Sequence, residues 1–428
     1  RLDGVDIFNP NHFNIPGTAG GPVSIINNKY LSNSDFFTGA FPAEFGNSIA
    51  GAFDLYTRNG NNQKHEFSGQ FGFLGTELLA EGPLSKNHQS SYLVSYRYST
   101  LALFSALGID IGTDAVPHYQ DGFFKLNFPM KNNTNLSFYG LGGTSSVDIM
   151  ISNQIKPTRN IYGQNDRDQY FTSKLGLLAS SLTKSYSEKT FAKLTLCFQN
   201  EDQIAHHELV YRHLNITNND STFAVDSLVP VMNYLFAESK LSVAWYVNHK
   251  ISSHVVLKAG VNADNYFFNF VDSLLNKDTT STNYYQWQNR WKANESALLL
   301  QPYIQFKFKI TDALTINAGL HSMLFTLNNS ISPIEPRLGL KYEFADRQNF
   351  SLAVGLHSQI QNTYLYFYHQ NDSLNQPLPM SNHDIGLTKS FHAVGSYSLW
   401  LSDNVQLISE LYYQYLYNIP VDTFSSSF

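Results

Sequence analysis

Apolar and polar side chains alternate along most of the chain from residue 64 onward. In 297–310, for example, Leu298 and Phe306 share one face of an extended chain, whereas Gln305 and Lys307 share the other. The segments 335–344, 350–357 and 405–418 show the same alternation. Because successive side chains of a strand point to opposite faces, a period of two predicts β-strands. The segments are close in length to the about 9 to 11 residues that a tilted strand needs to cross a bilayer.

The connections between these segments fall into two classes. Short polar turns are expected at 85–89, 131–134, 184–188, 252–253, 311–313, 346–348 and 402–404. The other class is mostly long, at roughly 100–118, 145–168, 203–236, 272–294 and 361–389, with short members near 74–75 and 328–333. Turns on one side and long loops on the other are typical of outer-membrane barrels. We expect about 15 strands after residue 64 and, since such barrels have even strand numbers, a fragment that lacks the last strands.

The composition fits a β-sheet with one apolar face and one polar face in contact with water. Charged residues make up 14% of the chain, below the about 25% of soluble domains. Aromatic residues also make up 14%, yet the mean hydropathy is −0.25, and no apolar run approaches the about 18 residues of a membrane helix. The net charge of −6 argues against nucleic acid as a partner, and a single cysteine excludes an internal disulfide. An all-β transmembrane antiparallel barrel in outer-membrane lipid is therefore predicted.

The first 63 residues differ in texture, being rich in Gly, Asn and Pro without long alternation. Their sequence resembles the C-terminal half of the plug of TonB-dependent outer-membrane receptors of the Bacteroidota-like type. The matching strings are RLDGVDI at 1–7, NPNHF at 9–13, GGPV at 20–23, RNG at 58–60 and, most specifically, FFTGAFPAEFG at 36–46. In the second region, EPRLGLKY at 335–342 and YYQYLYNIP at 412–420 are similar to barrel strands of that family.

The resemblance implies a plug end at 1–63 and an incomplete barrel at 64–428, in a family whose barrels have 22 strands. It implies that the N-terminal TonB box, the start of the plug and the last strands lie outside this sequence. The implied function is active uptake of a scarce nutrient (siderophore, corrinoid, oligosaccharide or peptide) through a Gram-negative outer membrane. TonB is the implied energy-coupling partner and a surface lipoprotein a further candidate partner. No enzyme activity, cofactor or metal is expected. A lumen that wide needs a plug, because its own side chains cannot fill it.

Three sets of residues are candidate sites. The resemblance places Asn9, Asn11, His12 and Phe13 in an apex loop of the plug, where they would contact ligand. Exposed aromatics favour contact with a ligand, so Tyr284, Tyr285, Trp287 and Trp291 are candidates in a long loop. On the alternation, the polar residues expected to face the lumen or contact the plug are Lys307, Lys309, Arg337, Lys341, Glu343 and Glu410.

The sequence gives weaker support for a metal site, a nucleotide site or a catalytic cysteine. His206, His207 and His213 fall in an expected loop, and Tyr211 breaks the His-Glu-x-x-His metal pattern. The glycine run at 140–143 lacks nucleotide-loop spacing, and the alternation turns Cys197 toward the lumen with Lys193 and Gln199, without a base. Aromatic clusters at 364–368 and 412–417 are expected to form membrane-interface girdles. Two alternatives stay open: a passive porin or structural outer-membrane protein, and a secreted carbohydrate-binding β protein.

Overall fold

The computed structural model describes the chain except residues 19, 22, 73–74, 86–88, 101–116, 157–163, 218–219, 278, 281–283, 370–375, 377, 381 and 422–428. Nearly all of the described chain is extended. Its helical turns include the 3-10 helices Asn28–Tyr30, Ile151–Asn153 and Thr363–Phe367. None of the described helices is long and apolar enough to cross a membrane.

One antiparallel sheet of 15 strands holds most of the chain, in agreement with the predicted count. Each strand pairs with its neighbours in sequence, so the order runs from β3 to β17 without crossovers. Its strands are β3 (Glu66–Phe71), β4 (Gly75–Pro83), β5 (Ser91–Ser99), β6 (His118–Met130), β7 (Thr134–Ile149), β8 (Arg167–Ser187), β9 (Thr190–Thr217), β10 (Asp220–Lys250), β11 (Val255–Leu275), β12 (Trp287–Lys309), β13 (Leu314–Phe325), β14 (Ser330–Ala345), β15 (Gln348–Gln359), β16 (Thr388–Ser402) and β17 (Val405–Tyr417).

The two faces of the sheet follow the alternation. In β9, Leu196 and Phe198 are 46% and 50% exposed, whereas Cys197 between them is buried. In β14, Leu338 is exposed and its neighbour Arg337 is buried. The face that carries the exposed apolar side chains is called the outer face below, and the opposite face the inner face. The sequence assigned all of these side chains to the correct face.

Residues 1–63, called the inner segment, lie against the inner face. Strands β1 (Asp35–Phe37) and β2 (Ala52–Asp54) pair within it. Tyr30 stacks on Phe123 of β6 with ring centroids 4.0 Å apart. The two parts share one apolar core, to which the inner segment gives Leu2, Val5, Ile25 and Tyr30 and the sheet gives Leu93, Phe123, Tyr139, Leu141, Leu175, Leu177, Ala179, Cys197 and Ala244. Burial of this core holds the inner segment on the sheet.

The predicted loop at 203–236 is wrong. Strands β9 and β10 continue through it and pair almost to their common tip at 217–220. Register shifts lie between Val225 and Ser227 and between Pro230 and Met232. An extra residue in a strand switches the faces of all later side chains, so a bulged hairpin loses the alternation that predicts a strand. Part of the predicted 272–294 loop is also strand, since β11 ends at Leu275 and β12 begins at Trp287.

The aromatic cluster at 364–368 faces inward rather than toward a membrane interface. Tyr366 and Phe367 are fully buried in the 3-10 helix Thr363–Phe367. They belong to a second apolar core that includes Phe268, Phe270, Leu299 and Phe325. In the other predicted girdle, the adjacent residues Tyr412 and Tyr413 are 76% and 60% exposed, because the edge strand β17 is little covered on either face. Aromatic enrichment alone does not tell a membrane interface from an apolar core.

Candidate functional site

A cavity of about 570 Å³ lies between the inner segment and the inner face of β9, β10 and β11. It is called the inner cavity below. The residues 359–364, where a long connection leaves β15, also line it. Side chains and backbone of Arg1, Asp6, Phe8, Asn9, Asn14, Asn47, Glu201, Gln203, Glu238, Lys240, Tyr266, Gln361, Asn362, Thr363 and Tyr364 are among its walls. A cavity with polar and apolar walls in similar share is suited to binding a ligand that has both polar and apolar groups.

Each cation of the inner cavity already has an acidic partner. Arg1 Nε donates to Asp6 Oδ1 at 3.0 Å. Burial opposes ionisation of Asp6, but the surrounding positive charges, with the Arg1 guanidinium first and Lys240 among them, outweigh it and lower the pKa of the Asp6 carboxyl to about 2. Lys240 Nζ lies 3.8 Å from Asp264 Oδ1, and its ammonium also sits 5.0 Å from the ring centroid of Phe8. These pairs are built into the cavity wall and leave little positive charge for a ligand.

Two carboxylates of the inner cavity have neutral hydrogen-bond donors instead. Asn14 Nδ2 donates to Glu201 Oε1 at 2.6 Å, and Thr363 Oγ1 donates to Glu238 Oε2 at 2.6 Å. Sequence reasoning missed both glutamates. The signal was present for Glu201, which shares the inward parity of Cys197 in the same strand. The pairing of β9 with β10, which brings Glu238 beside it, is not visible in either strand alone.

Only one of the four predicted apex residues lines the inner cavity. Asn9 does so, and its Nδ2 donates to Asn14 Oδ1 at 3.1 Å. His12 is 1% exposed, with Nε2 3.0 Å from Asp121 Oδ2 on β6. The Phe13 N–H donates to Ser145 Oγ at 2.8 Å, and Asn11 forms a bridge within the inner segment. The structure therefore places His12 and Phe13 where they hold the inner segment on the sheet.

The four predicted loop aromatics do not gather at the cavity. Tyr284 and Tyr285 are each 49% exposed near the tip of the β11–β12 hairpin, and Trp287 begins β12. Trp291 lies within β12, and its Nε1 donates to the Tyr364 carbonyl at 2.8 Å. Because Tyr364 lines the inner cavity, Trp291 supports the cavity wall from the side that faces away from the cavity.

Replacing Trp291 by phenylalanine is expected to loosen residues 362–368. The variant keeps an aromatic ring but loses the indole donor to the Tyr364 carbonyl, which is worth about 1 kcal/mol. Amide hydrogen exchange in 362–368 should then be about fivefold faster. Trp245→Phe, on the exposed outer face, is the matched control and should leave those amides unchanged. Equal exchange in both variants would show that Trp291 does not support this segment.

The six predicted lumen residues separate into two kinds. Arg337 is buried, and its Nη1 donates to the Pro42 carbonyl at 2.6 Å and also to the Phe45 carbonyl. Lys341 instead pairs with Glu343 at 2.7 Å, and Lys309 pairs with Asp312 at 2.8 Å, all four on the sheet or its turns. Lys307 and Glu410 are exposed. Of these six residues, Arg337 is the one for which the described structure gives hydrogen bonds to the inner segment.

The residues 40–47 are the most heavily anchored stretch of the inner segment. Ala40 N–H donates to His392 Nδ1 at 3.1 Å, so His392 Nε2 carries the proton and donates to the Ile49 carbonyl at 2.8 Å. Ala43 N–H donates to a Gln305 side chain at 2.9 Å, and the Ile360 N–H donates to Asn47 Oδ1 at 2.9 Å. The string at 36–46, which carries the most specific resemblance, thus overlaps the docking stretch.

The three histidines first assigned to a loop lie in strand β9. His206 Nδ1 is 2.5 Å from Asn233 Oδ1 and His213 Nδ1 is 2.8 Å from Asp226 Oδ1, both across the β9–β10 ladder, whereas His207 is buried. The described residues contain no group of three or more His, Cys, Asp or Glu side chains placed to hold a metal ion.

Comparison with known proteins gives matches at the level of structure. No protein-family model and no curated protein matches the sequence. Among solved structures, a variant of the ferric enterobactin receptor PfeA from Pseudomonas aeruginosa is similar with a TM-score of 0.59 at 13% identity. The match covers 96% of this chain and 62% of that chain. The siderophore receptor PirA from Acinetobacter baumannii gives 0.61 at 13% identity, with coverages of 96% and 62%.

The chain has the fold of a TonB-dependent outer-membrane receptor. The outer membrane transporter YddB from Escherichia coli shares this receptor fold, with a TM-score of 0.64 at 10% identity, covering 96% of this chain and 61% of that one. The chain thus spans less than two thirds of the receptor structures that it matches. At these identities the likeness concerns the fold of the sheet and inner segment.

Proposed function

We propose that this chain belongs to a TonB-dependent receptor of the Gram-negative outer membrane that binds a scarce nutrient from outside and imports it actively. Residues 1–63 are the end of its plug, and 64–428 are barrel wall. The observation that carries the proposal is the docking of the inner segment on the inner face through buried polar contacts. Arg337 and His392, both on the sheet, hold backbone carbonyls of that segment.

The outer face supports contact with lipid. Leu178, Phe198, Leu241 and Phe267 are between 45% and 60% exposed on neighbouring strands. Contiguous exposed apolar area of this kind marks contact with a partner surface or hydrocarbon. On a transmembrane barrel the outward side chains are apolar, as they are on this outer face. A secreted carbohydrate-binding β protein would expose a polar outer surface instead.

The inner segment argues against a passive porin. A porin keeps a water-filled lumen, whereas here the inner face of β5–β16 carries an apolar core and a set of buried hydrogen bonds shared with the segment. A lumen filled in this way needs a movement of the plug before solute passes. This requirement favours energy coupling through TonB, which is proposed as a partner together with a surface lipoprotein. Siderophore, corrinoid, oligosaccharide and peptide remain the nutrient classes under proposal.

Deletion of the gene is expected to abolish growth on one nutrient class at limiting concentration. A panel of iron chelates, corrinoids, glycans and peptides as limiting sources identifies it, and a plasmid copy of the full-length gene should restore growth. Uptake of the labelled nutrient should fall to the deletion level in a strain without TonB. Uptake that continues at the wild-type rate without TonB, or free solute leakage in liposome swelling, would favour the passive porin.

A further inference from the structure

Two glutamates of the inner cavity stand directly opposite each other. Glu201 of β9 and Glu238 of β10 are register partners in the antiparallel ladder. Side chains of such partners leave the same face, with Cβ atoms about 4.5 to 5.5 Å apart. Like charges in this arrangement destabilise a sheet. A pair that opposes folding stability is a candidate for a functional role.

Neither glutamate forms a close ion pair with a cation of the described chain, although the charge of Lys240 acts on both. Lys240, two residues beyond Glu238 on the same face, has Asp264 as its ion-pair partner, and Arg1 has Asp6. The neutral side chains of Asn14 and Thr363 each donate a hydrogen bond to one of the glutamates. Both carboxylates line the inner cavity, where Glu201 is 7% exposed. The cavity therefore presents two carboxylates, held in place by neutral groups, to whatever occupies it.

The rest of the cavity wall matches a polar ligand with a positive charge. Gln203 on β9 and Asn362 on the long connection after β15 place side-chain amides in the cavity wall. The amide of Gln361 is instead bonded to the Gly386 carbonyl and to Thr388. The Tyr266 ring already accepts one ammonium group, since Lys240 Nζ lies 5.1 Å from its centroid. Aromatic faces and carboxylates together favour ammonium and guanidinium groups. An anionic chelate would meet two carboxylates, whereas Lys240 and Arg1, the cations of the described cavity wall, are held by Asp264 and Asp6.

We infer that the Glu201–Glu238 pair binds a protonated amino or guanidinium group of the imported ligand, so that the substrate is a cationic molecule such as a basic peptide or an amino-sugar oligomer. The inference rests on the proposed receptor function and narrows its substrate class. A bound cation offsets the repulsion within the pair, which gives a gain that a neutral analogue lacks.

The same pair connects the ligand site to the inner segment and to the connection after β15. Asn14 belongs to the inner segment and Thr363 to the connection after β15, and each donates to one glutamate. A cation that takes over these carboxylate oxygens competes with Asn14 and Thr363 for them. Through Asn14 the change reaches Asn9, whose amide donates to it. A positive charge on the ligand therefore changes the hydrogen bonds of the inner segment beside the cavity.

Binding of charge-matched probes to the full-length receptor in detergent tests the inference. Trilysine is compared with its form acetylated on all four amines, and chitotriose with tri-N-acetylchitotriose, by isothermal titration calorimetry. A cationic probe should bind about tenfold or more tightly than its acetylated counterpart. The larger difference in affinity between a probe and its acetylated form, in the peptide or in the sugar series, shows whether the substrate is a peptide or an amino sugar. In the double variant Glu201→Gln with Glu238→Gln, this preference should fall by about tenfold.

Asp202→Asn is the matched control, because Asp202 follows Glu201 in β9 and lies on the opposite face. It should keep the wild-type preference. The double variant should melt no lower than the wild type, since it removes a repulsion, and this shows that any loss of binding is local. Binding of neither cationic probe, equal binding of the acetylated probes, or an unchanged preference in the double variant would overturn the inference. If one of these results is found while TonB-dependent uptake persists, the inference about the substrate is wrong but the proposed function still stands.

Discussion

Replacing Arg337 by methionine is expected to release the docking stretch 40–47 from the sheet. The side chain is buried, donates to the carbonyls of Pro42 and Phe45, and pairs with the buried Glu335 at 3.1 Å. Methionine removes these donors and leaves Glu335 as a buried charge without its cation. Breaking a buried pair from one side costs about 3 to 5 kcal/mol. Limited proteolysis of the purified protein should cut within 36–47 far faster, and on the proposed function cells should become permeable to vancomycin.

Lys341→Met is the matched control on the same strand. Lys341 shares the parity of Arg337, but it is exposed and pairs only locally with Glu343 at 2.7 Å. Exposed ion pairs contribute about 0 to 1 kcal/mol, so this variant should resist protease as the wild type does. If Arg337→Met is equally resistant, Arg337 does not hold the inner segment, and the apolar core alone suffices.

Substitution of Gly60 by alanine is expected to lower the amount of correctly folded protein severalfold. An added Cβ would lie 1.9 Å from the Tyr92 carbonyl oxygen and 2.6 Å from its carbon, both backbone atoms of β5. Backbone inside a paired ladder cannot give way as a side-chain end can, so the strain should reach about 3 kcal/mol or more. The amount of folded receptor in the outer membrane, read from its heat-modifiable mobility in SDS gels, should drop severalfold.

Gly395→Ala provides the comparison for the glycine substitution. A Cβ on Gly395 in β16 meets no atom within contact distance, so the change should stay within about 0.5 kcal/mol. Membrane levels of this variant should equal those of the wild type. A Gly60→Ala protein that assembles as well as Gly395→Ala would show that the passage from the inner segment to β3 has room to shift.

The faces of single strands could be predicted from the sequence because they depend on local parity. Cys197 was placed inward and Leu196 outward on alternation alone, and the structure agrees. The strand number followed from the same pattern. The inward position of Arg337 also followed from parity, although its acceptors at 42 and 45 lie almost 300 residues away in sequence and could not be read from the pattern.

What depends on register between strands could not be predicted. Glu201 and Glu238 lie 37 positions apart, and their opposition follows from a hairpin with two bulges, which also hid the strand character of 203–236. Tyr366 and Phe367 were assigned to a membrane girdle, but they are buried in an apolar core. Aromatic composition alone does not distinguish a membrane interface from a protein core. His12 was expected at a ligand but is fixed by Asp121, a partner 109 positions along the chain.

The single thiol of the chain offers a built-in chemical reporter of opening. Cys197 is 1% exposed and belongs to the same apolar cluster as Leu2, Val5, Ile25 and Tyr30 of the inner segment. While that segment is seated, a maleimide dye meets no accessible thiol on the described surface. Departure of the segment uncovers the sulfur on the inner face, so alkylation kinetics follow each opening without any engineered label.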